Sequence, residues 1–130
     1  MKLVVDTSII ISVLIDEVEK PKIIEKTLGC EIAAPYSVHY EIGNAFSSLL
    51  KRKLIEKEKI HKALNSYKMI KIGWLDIDLS SCLDLCSRFN IYAYDAYILS
   101  CALQNNFPLF SLDKKIIEIA KKIGLITFEV

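Results

Sequence analysis

The stretch KLVVDTSIII, Lys2–Ile11, decides how the rest of the chain is read. Leu3–Val5 is short, apolar and unbroken by polar residues, the pattern of a strand buried on both faces of a sheet. Asp6 ends it. Two hydroxyls follow at Thr7 and Ser8, and a helical pattern then runs from Ser8 to Glu17. Asp6 thus stands where a buried strand gives way to a helix. Taken alone it can be an N-cap, because an Asp side chain accepts bonds from the free amides of a first helical turn. It can equally be one member of a site, if other carboxylates are delivered to the same place.

Outward from this stretch, strands and helices alternate. Pro21 opens a second helix at a position where its missing N–H does no harm, and Gly29 closes it. Glu31–Ala34 reads as a second strand. Pro35 starts a long helix to Arg52, with Val38, Ile42, Ala45, Phe46 and Leu49 at the helical period. Lys57–Met69 is another helix, and a third strand lies within Ile70–Ile77. Helices follow over Ser80–Phe89 and over Ala93–Asn105 around Asp95. Pro108–Phe110 is a fourth strand, Asp113–Ile123 a helix ended by Gly124, and Leu125–Val130 a last strand. Short apolar strands alternating with helices imply crossovers and a parallel sheet, hence an α/β fold. At 130 residues, with no internal repeat and no low-complexity segment, the expectation is one domain over residues 1–130.

Composition narrows the function classes. Hydrophobic residues are 52% and charged residues 25%, which describes an ordered globular chain. The net charge of +1, from 17 basic and 16 acidic residues, gives no general attraction to nucleic acid, so such a partner needs a local basic patch. Cys30, Cys82, Cys86 and Cys101 fit no zinc spacing; Cys82 and Cys86 share a helical face and read as core. His39 and His61 have no partner at metal-ligand spacing and read as structural or surface residues. Asp6 interrupts the first apolar run, so no signal peptide is expected, and no run reaches membrane-span length. A cytoplasmic protein is expected.

Four carboxylates stand out. Asp113 follows the fourth strand and opens the last helix, where a cap is the natural reading. Asp95, in YAYDAYILSCALQ, sits near the start of a helix that is apolar almost all round. Burial without a partner would be costly there. Glu41 is mid-helix, where capping is not open to it. Its ordinary fate is a solvent-facing side chain, although Asn44 shares its face and could hold it by a hydrogen bond. In open parallel sheets, sites lie beyond the carboxyl ends of the strands, and all four acids can reach that edge. Like charges so gathered repel one another, and a hard divalent cation bound through oxygen relieves the conflict. Such an ion suits phosphate chemistry, because it can lower the pKa of a bound water and offset phosphate charge.

These residues resemble the PIN-domain ribonucleases, particularly the VapC-type toxins of toxin–antitoxin pairs. LVVDTSIII is similar to the family's opening strand, with its first acid at Asp6. HYEIGNAF resembles the second motif, with Glu41 as the acid and Asn44 as its companion. YAYDAYILSCAL is similar to the third and places Asp95; FPLFSLDKKI resembles the fourth and places Asp113, with Ser111 where Thr is frequent. The resemblance implies a three-layer fold with a mainly parallel sheet of about five strands flanked by helices. It implies Mg²⁺- or Mn²⁺-dependent cleavage of single-stranded or structured RNA leaving a 3′-hydroxyl and a 5′-phosphate, a homodimer, and a cognate antitoxin bound beside or in the acidic groove. On this reading Asp6, Glu41, Asp95 and Asp113 are the catalytic and metal-holding acids, with Glu41 coordinating directly or through water. Thr7, Ser8, Asn44 and Ser111 support them.

For substrate contact, Lys114 and Lys115 lie next to Asp113 and are the better candidates. The run Lys51, Arg52, Lys53, Lys57, Lys59 and Lys62 is diluted by Glu56 and Glu58 and reads as a solvated surface. Tyr36, Tyr40, Phe46 and Leu49 suit a dimer face, an antitoxin groove or core. Two other functions stay open: a PIN nuclease of RNA processing or quality control, and a non-catalytic RNA- or protein-binding module.

Overall fold

The computed structural model describes residues 1–130. Its strands are β1 (Lys2–Val5), β2 (Glu31–Pro35), β3 (Ile72–Leu75), β4 (Leu109–Phe110) and β5 (Thr127–Phe128). They form one sheet in the order β3-β2-β1-β4-β5, and every pairing is parallel. Seven helices make the connections: α1 (Thr7–Leu14), α2 (Lys20–Thr27), α3 (Ser37–Lys51), α4 (Lys57–Met69), α5 (Leu79–Phe89), α6 (Ala93–Asn105) and α7 (Lys114–Lys122). This is the expected α/β architecture, with five strands and no antiparallel member.

β1 is the central strand. Leu3, Val4 and Val5 are all buried, and Val4 is in register with Ala33 of β2 on one side and Leu109 of β4 on the other. Helices on both faces supply the apolar cover such a strand requires. α6 contributes Ala96, Ile98, Leu99, Cys101 and Ala102 to the core, and α7 contributes Ile116, Ile119 and Ala120.

The order of the strands matters for function. From β1 the chain steps outward to β2 and β3, then returns through α5 and α6 to lay β4 against the free side of β1. The direction of travel therefore reverses at β1 and β4, and a crevice opens beyond their carboxyl ends. α6 enters β4 after only residues 106–108, so it must run opposite to that strand. Its first turn, carrying Asp95, is thereby brought to the carboxyl edge of the sheet.

Three elements, α3, α1 and β5, depart from the sequence reading by more than one residue, each for a local reason. Pro35 ends β2 rather than starting α3. It is buried and in register with Leu75, because the ladder to β3 runs through it and helical geometry begins only at Ser37. α1 stops at Leu14, not Glu17; Asp16 takes a left-handed φ of 57° and pairs with Lys20, turning the chain into α2. β5 keeps only Thr127 and Phe128, since β4 offers only two residues to pair with.

Candidate active site

Asp6 lies one residue beyond β1, and its amide still bonds to the Phe110 carbonyl at 3.3 Å, extending the β1–β4 ladder to the edge of the crevice. Its side chain is almost wholly buried. One oxygen accepts from the Ile9 amide at 3.4 Å and from the Ser8 hydroxyl; the other accepts from the Ser111 hydroxyl, which arrives from the far end of the chain. The two serines are themselves fixed. The Leu112 amide donates to Ser8 Oγ at 3.1 Å, and the Asp113 amide donates to Ser111 Oγ at 2.9 Å. The cap reading of Asp6 is thus correct and incomplete: two hydroxyls from opposite sides of the crevice also hold this carboxylate. Burial raises its pKa, the bonds from Ser111, Ser8 and Ile9 oppose that rise, and the charge of Asp113 adds to it.

Asp113 caps α7, accepting from the Lys115 amide at 2.9 Å and the Ile116 amide at 3.3 Å, and is otherwise exposed. Asp95 is half-buried in the first turn of α6. Burial raises its pKa, Asp113 raises it further, and the Lys115 ammonium lowers it. Glu41, one turn into α3, is pushed up to about 7, first by burial and then by the charges of Asp6 and Asp95, with the Thr7 hydroxyl pulling against them. The buried Thr7 Oγ1 stands near Glu41 but makes no hydrogen bond of normal geometry to it, and Glu41 Oε1, also buried, is left without a partner.

Burial is the largest cause of each of these three rises, and the neighbouring carboxylates add to it: Asp113 at Asp6 and Asp95, Asp6 and Asp95 at Glu41. The four acids singled out in the sequence converge, together with Thr7, Ser8 and Ser111. Lys115 reaches the same edge; Lys114 is exposed beside it.

Asn44 shares a pocket of 410 Å³ with Glu41, Thr7, Tyr40, Ala45 and Tyr94, yet it donates no hydrogen bond to Glu41; its carbonyl accepts from Ser47. Tyr94 had not been singled out. The signal for it was its place before an acid, as Tyr40 stands before Glu41: each helix presents a ring and a carboxylate in sequence.

The apolar set on α3 divides. Phe46 is core and Leu49 packs against it, whereas Tyr36 and Tyr40 are exposed. Leu49 also lines a larger groove of 610 Å³ with Ile15, Leu54, Lys53 and Lys59, about two helical turns along α3 from Glu41 and clear of the acids. Both histidines are exposed, as expected, and His39 Nδ1 is 2.8 Å from the Tyr67 hydroxyl. All four cysteines are free, with Cys82 and Cys101 fully buried.

No group of three or more His, Cys, Asp or Glu side chains is already arranged to hold a metal ion. The donor set nonetheless fits one kind of ion. Mg²⁺ and similar hard cations use one or two carboxylates and keep several waters, so an open acidic cup suits them better than a tight cage. The unpartnered, buried Oε1 of Glu41 is the atom that asks for such a charge.

A parallel sheet with a ring of carboxylates over its switch point defines an α/β domain with an acidic cleft. The chain belongs to the PIN-domain family, whose sequence profile matches residues 3–122 and whose members are generally nucleases. Among solved structures it is similar to PAE2754 from Pyrobaculum aerophilum, at 20% identity over 98% of this chain and 92% of that one, with a TM-score of 0.68. It is similar to a chain of VapBC2 from Rickettsia felis, solved bound to a DNA fragment from their promoter, at 18% identity over 99% and 98%, with a TM-score of 0.69. A domain of a protein from Methanocaldococcus jannaschii matches at 21% identity over 99% and 90%, with a TM-score of 0.57. No curated protein matches the sequence at a significant level. No helix is long and apolar enough to cross a membrane.

Proposed function

We propose that this chain is a Mg²⁺- or Mn²⁺-dependent endoribonuclease, the VapC-type toxin of a toxin–antitoxin pair, acting in the cytoplasm as a single-domain protomer of a homodimer. The observation that carries the nuclease reading is the buried Asp6 carboxylate held by Ser8 and Ser111 at the end of β1, with Asp113 bonded to that same Ser111 and Glu41 set in the adjoining pocket beside Thr7 and Tyr94. Membership of the PIN family and likeness in fold to a VapBC2 chain support the toxin reading, and with it an antitoxin partner.

Asp6, Asp95 and Asp113 would hold the cation, and Glu41 would hold it directly or through water. When bound, the ion supplies charge compensation for phosphate and a more acidic attacking water. The chain's own residues do the rest. Ser8 and Ser111 fix the direction of the Asp6 carboxylate, so that the cup need not reorganise when substrate arrives. Glu41 Oε1 orients the attacking water towards phosphorus. Lys114 and Lys115 meet the phosphate oxygens at the open side of α7, their charge offsetting that of the phosphate. Water adds to phosphorus, the 3′ oxygen leaves and takes a proton, and the products carry a 3′-hydroxyl and a 5′-phosphate.

The test is cleavage of a mixed-sequence RNA by the purified protein. Cleavage is expected with Mg²⁺ or Mn²⁺, loss with EDTA, and no detectable cleavage by Asp6→Asn or Asp95→Asn. Either variant cutting as fast as the wild type would remove the proposed site.

A further inference from the structure

Ser37 stands one residue too late to cap α3. The N-cap position is Tyr36, and no side-chain cap bond is made there. Ser37 is only 9% exposed, and its hydroxyl is buried without a hydrogen-bond partner. Buried polar groups are nearly always paired, so an unpaired one asks for an explanation. Five buried side-chain atoms in the chain share that condition, and three of them belong to Ser37, Glu41 and Thr7.

The fold gathers these three. Glu41 is one turn beyond Ser37 on α3, so the two share a helix face, with Cβ atoms about 5–6 Å apart. A helical side chain leans toward the N-terminus of its helix, which carries the Glu41 carboxylate back over Ser37. β1 ends at Val5 and β2 at Pro35, and the two strands pair in parallel. Thr7 and Ser37 therefore each stand two residues beyond the ends of neighbouring strands. Thr7 also lines the pocket that holds Glu41. Glu41 thus has one hydroxyl from α1 and another from α3 within reach. The Asp6 carboxylate is already held by such a pair, Ser8 and Ser111. An alanine would serve as well beside the core residues Ala34 and Val38 if packing were all that position 37 had to supply.

We propose that Ser37 is a positioning residue: its hydroxyl donates to the buried Oε1 of Glu41 and, together with Thr7, fixes the direction of that carboxylate. A serine side chain has a single torsion, and a turn between its staggered wells is enough to aim the hydroxyl along the helix. The bond satisfies two orphaned atoms at once. It also leaves the glutamate one orientation in a pocket that is otherwise open. Ser37 itself touches neither ion nor RNA. The proposal rests on the nuclease reading for the step it serves, the holding of the attacking water by Glu41; the bond rests on packing alone.

The test is a double-mutant cycle on the metal-free protein. Wild type, Ser37→Ala, Glu41→Ala and the double variant are unfolded in urea with EDTA present. Ser37→Ala is expected to lower the urea midpoint of the wild type and to leave that of the Glu41→Ala protein nearly unchanged. With Mn²⁺ restored, Ser37→Ala is expected to lower kcat for RNA cleavage about tenfold while KM stays close to that of the wild type. Equal midpoint shifts in both backgrounds overturn the proposal, because Ser37 would then be a packing residue. Coupling in urea with an unchanged kcat overturns the positioning role. Coupling in urea in a wild-type protein that cuts no RNA supports the bond and counts against the nuclease reading alone.

Discussion

Glu41 bears a cost that its neighbours explain. In the unfolded chain its carboxyl ionises near the ordinary 4.5; in the fold, burial and the charges of Asp6 and Asp95 hold it at about 7. Between those values the folded protein keeps a proton that the unfolded chain has released, so stability must fall as pH rises through the window. Without metal, wild type is expected to lose about 1–2 kcal/mol relative to Glu41→Gln between pH 5 and pH 8, a figure reduced for the partial solvent screening of this side chain. Urea unfolding of both proteins in EDTA at the two pH values checks it. A difference that does not change between them would mean that Glu41 ionises freely. Asp6 and Asp95 are shifted in the same direction, first by burial and then by the charge of Asp113.

At the scale of the element, the caps serve two purposes that substitution can separate. Asp113 accepts from two amides at the start of α7 and also faces Asp6 and Asp95. Asn caps a helix about as well as Asp, whereas Ala does not. Asp113→Asn is therefore expected to keep the thermal stability of the wild type and to lose RNA cleavage. Asp113→Ala should lose cleavage together with about 1 kcal/mol of stability. Paired melting curves and cleavage assays decide it: full cleavage by the Asn variant would reduce Asp113 to a cap.

The elements also show what the residues could and could not announce. α4 and α6 were legible to the residue, because a helix is a local periodicity with local stops. Pro35 was not. A proline suits the first turn of a helix as well as the end of a strand, and register with Leu75, forty residues away, decided between them. β5 was overdrawn because its length is set by β4. The acids could be read from position and resemblance, since each follows or faces a strand end. The bonds from Ser111 to Asp6 and from the Leu112 amide to Ser8 could not, because they join residues more than a hundred apart. The contact first looked for, Asn44 to Glu41, is not made; the shared face brings Asn44 to the pocket wall but leaves Glu41 Oε1 without a partner.

For the whole molecule, the strand order does the assembling. Laying β4 beside β1 brings the end of the chain back to its beginning, so that Ser111 closes over Asp6 and α7 completes the cup. A net charge of only +1 fits this arrangement. Repulsion is concentrated at one edge, where a small ion can relieve it, and binding there should stabilise the fold by mass action. The most direct measure is a Mn²⁺ titration of the RNA-free protein at pH 7.5, with free ion followed by its electron paramagnetic resonance. Wild type is expected to take up Mn²⁺, and Asp6→Asn and Asp95→Asn, on elements far apart in sequence, should each weaken uptake by about tenfold or more. Equal uptake by all three proteins would contradict the convergence of these carboxylates on one ion.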